Sequence, residues 1–161
     1  MSYKASNELA ELMLGAVKTA LDGGTLTIFS GSVPADAGEA LDLVADHTIL
    51  AVLTVDNDGT TGLTFDAAVE AVVAKAAAES WEGTIAFSGT EETEDSLAPT
   101  FWRFCASGDA GTGLGSGPRI QGTAGGPASS ADVKLGADTF TDNGVNTAGL
   151  SVFNVRLSAL A

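Results

Sequence analysis

Apolar residues recur every three or four positions near the start of the chain, a spacing that predicts an amphipathic α-helix over about residues 6–22. Ser6 or Asn7 can cap its first turn, and the pair Gly23-Gly24 can end it. The predicted apolar stripe consists of Leu9, Leu12, Met13, Ala16, Val17, Ala20 and Leu21.

Short runs of β-branched and aromatic residues follow the helix and predict a series of strands separated by turns. The predicted strands are 25–31, 48–55, 83–89, 100–106, 118–125, 131–136 and 149–160. Within 100–106, alternation places Phe101, Arg103 and Cys105 on one face and Trp102 and Phe104 on the other. Within 149–160, the face that we expect to be buried carries Phe153, Val155 and Leu157.

The segment 63–80 supports two interpretations. Its many alanines favour a helix by intrinsic propensity. Val69, Ala71 and Val73, however, alternate with their neighbours as the residues of a strand do. We predict a strand that continues to about residue 75.

The remaining segments, 32–47, 56–59 and 90–99, are polar and carry Pro, Asp-Gly or clustered acidic residues, which are typical of loops and turns. One helix and many short strands predict a mainly β fold, an antiparallel β-sandwich or barrel with one N-terminal amphipathic α-helix. We expect a single domain over residues 1–161, with the helix at about 6–22 and the β part at about 25–160.

Charge narrows the choice of partners. The 161 residues include 7 basic and 21 acidic ones, a formal net charge of −14. Such a surface repels phosphates, so we expect no nucleic acid and no membrane as a partner. The single cysteine, Cys105, excludes an intrachain disulfide. No apolar run has the length of a membrane span, and the first residues lack the apolar stretch of a signal peptide, so we expect synthesis in a host cytoplasm.

The stretch 107–117, SGDAGTGLGSG, could in principle cradle a phosphate. Phosphate loops place their glycines at the mouth of a helix or before a Lys, so that helix amides or a cation meet the anion. Here Pro118 and a predicted strand follow instead. We interpret the stretch as a flexible hairpin loop and expect no cofactor.

The motif DNDG at 56–59 contains part of a calcium-loop pattern. Asp56 and Asp58 fall on ligand positions, but Thr54 and Phe65 stand where the first carboxylate and the closing Glu belong. A hairpin turn at Asp58-Gly59 explains the motif more simply.

The candidates for catalysis are few. Cys105 and His47 are the only nucleophile and base of their kinds, but a reactive thiolate needs contact with the base and an electropositive setting. We expect Cys105 to be buried in a strand and His47 to face solvent. A solvated loop tip is the simpler interpretation of the acidic group Glu91, Glu92, Glu94 and Asp95. We therefore expect no catalytic and no metal site, and a protein that is not an enzyme.

Trp81, Trp102 and Arg103 are the remaining candidates. An Arg between aromatic residues in a strand is typical of a core position with one salt bridge. The alternative is a set of interface anchors, because Trp, Phe and Arg dominate binding hot spots.

Several short motifs occur in a characteristic order after the helix. They are GTLTIFSGSVP at 24–34, ILAVLTV at 49–55, WEGT at 81–84, FWRF at 101–104, RIQGTAG at 119–125, DVKLG at 132–136 and GLSVFNVRL at 149–157. In this order the chain resembles a family of small structural proteins encoded among the head and tail genes of tailed bacteriophages.

The resemblance implies a capsid decoration, or cement, protein on the exterior of the virion. Such a protein binds the outer surface of the major capsid protein lattice, stabilises the head and can itself form a homo-oligomer such as a trimer. The resemblance supplies no catalytic residues. Two alternatives stay open: another virion component (tail tube, baseplate or head–tail connector), or a carbohydrate-binding β module with Trp81 and Trp102 as stacking platforms.

Overall fold

The computed structural model describes residues 6–90, 96–115 and 117–156, and it confirms a mainly β fold with one N-terminal helix. The helix, α1, spans Asn7–Leu21. The strands in the described residues are β1 (Thr25–Ser30), β2 (Thr48–Val55), β3 (Val72–Ala74), β4 (Trp81–Gly89), β5 (Ser96–Leu97), β6 (Phe101–Cys105), β7 (Arg119–Gly125), β8 (Val133–Lys134), β9 (Phe140–Thr141), β10 (Thr147–Leu150) and β11 (Asn154–Arg156).

Seven strands form one curled sheet in the order β10-β4-β2-β1-β6-β7-β8. Neighbours pair antiparallel except β7 and β8, which are parallel. The two edge strands, β8 and β10, line a common cleft of about 900 Å³, which we name the seam cleft. Because the edges approach each other across this cleft, the sheet is barrel-like. The remaining strands of the described residues form two small antiparallel sheets, β3 with β11 and β5 with β9.

The two faces of the sheet are buried in different surroundings. Trp102 and Phe104 of β6 belong to the main hydrophobic core, together with Trp81. On the opposite face, Phe101 and Phe29 form a separate buried cluster in which their rings stack with centroids 4.8 Å apart. The alternation predicted for this strand therefore agrees with the packing.

The predicted apolar stripe of helix α1 is only partly the face that rests on the core: Leu21 is buried and Val17 packs on the core as predicted, whereas Ala10 and Leu14 were not selected. The buried residues of the helix are Ala10, Leu14 and Leu21. Leu9, Leu12 and Met13 of the predicted stripe are instead 50%, 74% and 48% exposed. Apolar residues occur all round this helix, so spacing alone could not decide which side faces the sheet.

The segment 63–80 is extended rather than helical, but it is not the continuous strand that we predicted. Glu70 and Ala71 have φ values of 50° and 59° and form a two-residue turn. Val69 and Val72 on either side exchange two backbone hydrogen bonds of 2.9 and 3.0 Å. This tight hairpin interrupts the alternation on which the longer strand was based.

Two further predictions need correction at the residue level. The strand expected at 149–160 divides into β10 and β11, with Phe153 buried between them and Val155 half-buried; Leu157 lies outside the described residues. The turn after β2 is centred on Asp56 and Asn57, which have φ values of 52° and 56°, and not on Asp58-Gly59.

Candidate functional site

Two long loops meet over the sheet face that carries Phe29 and Phe101. We name the segments 31–47 and 106–118, without residue 116, the loop platform. The backbone N–H of Leu41 donates to the carbonyl of Thr112 at 2.7 Å, and that of Gly115 donates to Gly38 at 2.9 Å. These two backbone hydrogen bonds connect the two loops directly.

Arg103, on strand β6 beneath the platform, forms hydrogen bonds to both loops. Its side chain is fully buried, and Nη1 donates to the carbonyl oxygens of Glu39 at 2.9 Å and Gly111 at 2.7 Å. Nε and Nη2 both donate to Oε1 of Gln121, at 3.3 and 2.9 Å. Burial, and then the nearby charge of Arg119, lower the pKa of the guanidinium. The core position matches one of the two sequence interpretations, but carbonyl oxygens replace the expected salt bridge.

A second arginine fixes the glycine-rich loop. Arg119 donates from Nε and Nη2 to the two carboxylate oxygens of Asp109, at 2.6 and 2.7 Å, and from Nη1 to the carbonyl of Gly113 at 2.9 Å. The hydrogen bonds from Arg119 lower the pKa of Asp109, and the same pair raises the pKa of Arg119. Such two-pronged, charge-assisted pairs are the strong members of their class.

Sequence reasoning missed Arg119, Asp109 and Gln121. The available signal was the hairpin itself, because pairing β6 with β7 places Arg103 opposite Gln121 and Cys105 opposite Arg119. Residues opposite each other share a face, so both arginines emerge under the same loops.

Gly111 bears on whether the glycine-rich stretch 107–117 is a phosphate-binding loop or a connection between strands. Its φ of 75° lies in the left-handed region, and a Cβ built on it would stand 2.7 Å from Sγ of Cys105. The loop therefore packs tightly on the sheet at this point. As expected, it connects two antiparallel strands, and its backbone carbonyls receive hydrogen bonds from arginines.

Two large apolar side chains of the platform are exposed. Val44 and Leu114 are 89% and 84% exposed. Val44 lines a shallow groove with Thr112 and Gly113, and Leu114 follows directly in the chain. Two large apolar side chains thus stand in solvent on loops that are fixed from inside.

The two tryptophans lie in the interior. Trp81 is fully buried and donates from Nε1 to Glu79 at 2.8 Å, and Trp102 is 7% exposed. Both line the seam cleft, and Nε1 of Trp102 has no hydrogen-bond partner among the residues that the structure describes. Since neither ring presents an open face, neither is placed to anchor a partner or to stack on a sugar without rearrangement.

Cys105 and His47 are not brought together. His47 contacts Phe101 at the far end of β6 from Cys105, with ring centroids 5.8 Å apart. His47 is only 6% exposed, contrary to the expected solvent-facing position, because its ring nitrogens bond to the backbone of Asp42 and Ser32. Burial raises the pKa of the Cys105 thiol to about 11. This cysteine is therefore a packed thiol and not a poised nucleophile.

The carboxylate of Asp58 forms hydrogen bonds within its own loop. It accepts hydrogen bonds from the hydroxyl of Thr61 and from the amides of Thr61 and Thr60, at 2.7 and 2.8 Å for the amides, and these lower its pKa to about 2. Among the described residues, no group of three or more His, Cys, Asp and Glu side chains is arranged to hold a metal ion. The acidic group at 91–95 lies outside the described residues.

Comparison with protein-family models, curated proteins and solved structures finds no match to this chain. Among its described helices, none has both the length and the apolar character needed to cross a membrane.

Proposed function

We propose that this chain is a non-enzymatic virion protein that decorates the outer surface of a bacteriophage capsid by binding the major capsid protein. The loop platform is the observation that supports the proposal. Loops longer than about 12–15 residues are uncommon in compact domains unless they are functional or disordered. The loop at 31–47 is ordered instead, because Arg103 and the cluster around Phe101 hold it in place.

The platform is suited to protein binding because hydrogen bonds hold its interior and two large apolar side chains, Val44 and Leu114, are exposed on it. Burying Val44 and Leu114 against a partner removes apolar surface from water, which favours association. Because Arg103 and Arg119 already hold the loops, little conformational freedom is left to lose on binding. Contacts of this kind repeated over a lattice of capsid subunits would add by avidity.

The acidic surface is compatible with the outside of a particle. A net charge of −14 opposes approach to packed DNA and keeps decorated particles apart in solution. The same charge makes the inside of a DNA-filled head an unfavourable location. A decoration role thus agrees with both the charge and the resemblance in motif order.

Cosedimentation with undecorated, expanded capsids of the encoding phage tests the proposal. The wild-type chain is expected to pellet with capsids in many copies, and the variant Val44→Asp/Leu114→Asp to stay in the supernatant. Val145→Asp is the matched control, because Val145 is 80% exposed but lies outside the platform. Absence of wild-type binding, or equal loss in the control, would overturn the proposal.

Copy number separates this role from the other virion roles. Hundreds of copies per particle are expected for a decoration protein. A handful of copies, or tubes and rings formed by the purified chain, would assign it to the tail, baseplate or connector instead.

A further inference from the structure

The seam cleft separates the two strands that end the curled sheet. Strand β8 is bonded to β7 on one side, and β10 is bonded to β4 on one side. Residues of both strands line the cleft, which has a volume of about 900 Å³. An unpaired strand edge presents backbone N–H and C=O groups and is a template for a further strand. Two such edges therefore border one space.

A hydrogen bond at the start of β10 shows which backbone groups of this strand are unpaired. The N–H of Ile85 donates to the carbonyl of Asn146 at 2.8 Å, and the register of β4 with β10 places these two residues directly opposite each other. Bonded and non-bonded positions alternate along an antiparallel pair. Ala148 is therefore a bonded position, and the N–H and C=O of Gly149 point away from β4, towards the outer edge.

The same reasoning applies to β8. The N–H of Leu135 donates to the carbonyl of Gly125 at 2.8 Å, and Gly125 is paired with Lys134 in a parallel register. In a parallel pair, a residue bonds to the two neighbours of the residue opposite it. Gly125 thus bonds to Val133 and Leu135, and the N–H and C=O of Lys134 point away from β7. Lys134 and Gly149 both line the seam cleft, and neither backbone has a hydrogen-bond partner in the part of the chain that the structure describes.

The buried side chains that line the cleft are apolar or aromatic. They are Trp81, Trp102, Val133, Leu135, Leu150 and Phe153. Trp102 also contributes a donor, Nε1, that lacks a partner among the described residues. Buried donors without a partner are rare in native proteins. A bound molecule that brings carbonyl oxygens to this wall carries the kind of acceptor that the donor lacks.

We propose that the seam cleft binds an extended segment of a partner protein, which adds as a strand between β8 and β10 and closes the sheet into a barrel. An extended polypeptide fits because it carries N–H and C=O groups on both of its edges, at the spacing that strand edges require. A strand residue occupies roughly 3.4 by 4.8 by 10 Å, so the cleft of about 900 Å³ accommodates about five residues.

The lining of the cleft also sets the chemistry of this segment. Side chains alternate between the two faces of a strand. Those that face the buried lining must be apolar. Those that face solvent meet Glu82 and Asp132, against a single cation, Lys134, on a chain of net charge −14. This charge favours Lys and Arg at the outward positions. We therefore expect a segment in which apolar and basic residues alternate.

The first experiment selects binders of the purified chain from a library of random peptides about seven residues long. Enriched peptides are expected to alternate apolar and basic residues, for the reasons given above. The strongest binder is then synthesised, and its Kd is measured by titration calorimetry. A selection that enriches no peptide, or only peptides without this alternation, would overturn the proposal.

N-methylation of the selected peptide tests pairing with both edges. Alternate N–H groups of a strand point to opposite edges. A peptide held between β8 and β10 uses both sets, so methylating either set should weaken binding at least about tenfold. A peptide added to one edge would tolerate methylation of the set that faces solvent, and a peptide bound only through its side chains would tolerate both. Either tolerance contradicts the proposal.

Proline variants of the chain locate the site. Lys134→Pro removes the outward N–H of β8 but keeps the bonds from Val133 and Leu135 to β7, so the sheet is preserved. It should weaken binding of the selected peptide at least about tenfold. Lys134→Ala is the matched control, because it changes the same exposed side chain and retains the N–H; its Kd should stay within about threefold of wild type. Thermal melts show whether each variant is folded, and Gly149→Pro, on β10, decides if Lys134→Pro does not fold.

Equal binding by Lys134→Pro and Lys134→Ala would also exclude the strand edges as the site. Sedimentation of the chain alone tests for a different occupant. Self-association that Lys134→Pro abolishes would mean that a second copy covers these edges, and the assignment to a partner protein would be wrong. The inference does not rest on capsid binding, since every measurement uses the chain and synthetic peptides.

Discussion

The two faces of the curled sheet are covered by different chemistry. On one face, Trp102 and Phe104 join an aromatic core in which Phe104 lies within 5.7 Å of Trp81, centroid to centroid. On the other face, Arg103 ties loop carbonyls to the sheet over a cluster of three fully or nearly buried apolar residues. Apolar packing is non-directional, whereas hydrogen bonds fix positions. We infer that the first face carries most of the stability and the second gives the loop platform its shape.

The largest expected effect is on the core face. Phe104→Ala removes a fully buried ring and should destabilise the fold by about 3–5 kcal/mol, since it leaves a cavity among aromatic residues. Urea unfolding monitored by tryptophan fluorescence measures this loss. In this variant, hydrogen exchange should accelerate equally at the backbone amides of the platform and of the core, because exchange occurs through unfolding of the whole domain.

A smaller and more local effect is expected from Arg103→Lys. The substitution keeps the charge but loses the planar fork that reaches Glu39, Gly111 and Gln121, and should destabilise by about 2 kcal/mol. Hydrogen exchange should accelerate most at the amides of Leu41 and Gly115, which join the loops.

Arg156→Lys is the control for that substitution, because Arg156 is exposed on β11. It should change neither stability nor exchange. If Arg103→Lys accelerated hydrogen exchange equally at core and platform amides, the inference that the two faces of the sheet have different roles would be wrong.

A matched pair of glycines tests the tight packing of the loop. Gly111→Ala puts a Cβ against Sγ of Cys105 at a left-handed φ and should destabilise by about 1–2 kcal/mol. Gly113→Ala meets nothing within 4 Å and should stay within about 0.5 kcal/mol of wild type. Thermal melts of the two variants compare them directly, and similar losses in both would show that this part of the loop does not pack as described.

The smallest effect is the pH dependence of the platform. Because the pKa of Asp109 is lowered in the folded state, its pairing with Arg119 contributes stability that is complete above the ordinary Asp pKa of about 4 and is lost as pH falls through the lower folded value. Asp109→Asn lacks this contribution. The difference in Tm between wild type and Asp109→Asn should therefore narrow as pH falls from about 5 towards 2. A difference that stays constant with pH would exclude the ion pair as its cause.

Much of the fold was predictable because local pattern is strong where a strand has a clear period. The strands at 25–31, 48–55 and 100–106 match β1, β2 and β6 closely, and alternation correctly placed Trp102 and Phe104 on one face, which the structure shows to be the core face. The prediction of one continuous strand in the segment 63–80 was wrong, because the turn there contains none of the residues typical of turns. Glu70 and Ala71 adopt positive φ without glycine, so no sequence signal marked that hairpin.

The sequence by itself determined a mainly β fold with one helix and an acidic surface, because periodicity and charge are properties of neighbouring residues along the chain. Only the tertiary structure decided which side of α1 is buried and that Arg103, Arg119 and Gln121 jointly hold two loops far apart in sequence. The arrangement of these three side chains depends on strand register, which brings Arg103 opposite Gln121. The hairpin made the pairing of β6 with β7 foreseeable, but its register also depends on the conformation of the connecting loop and on which faces are buried, and these are decided only in the assembled sheet.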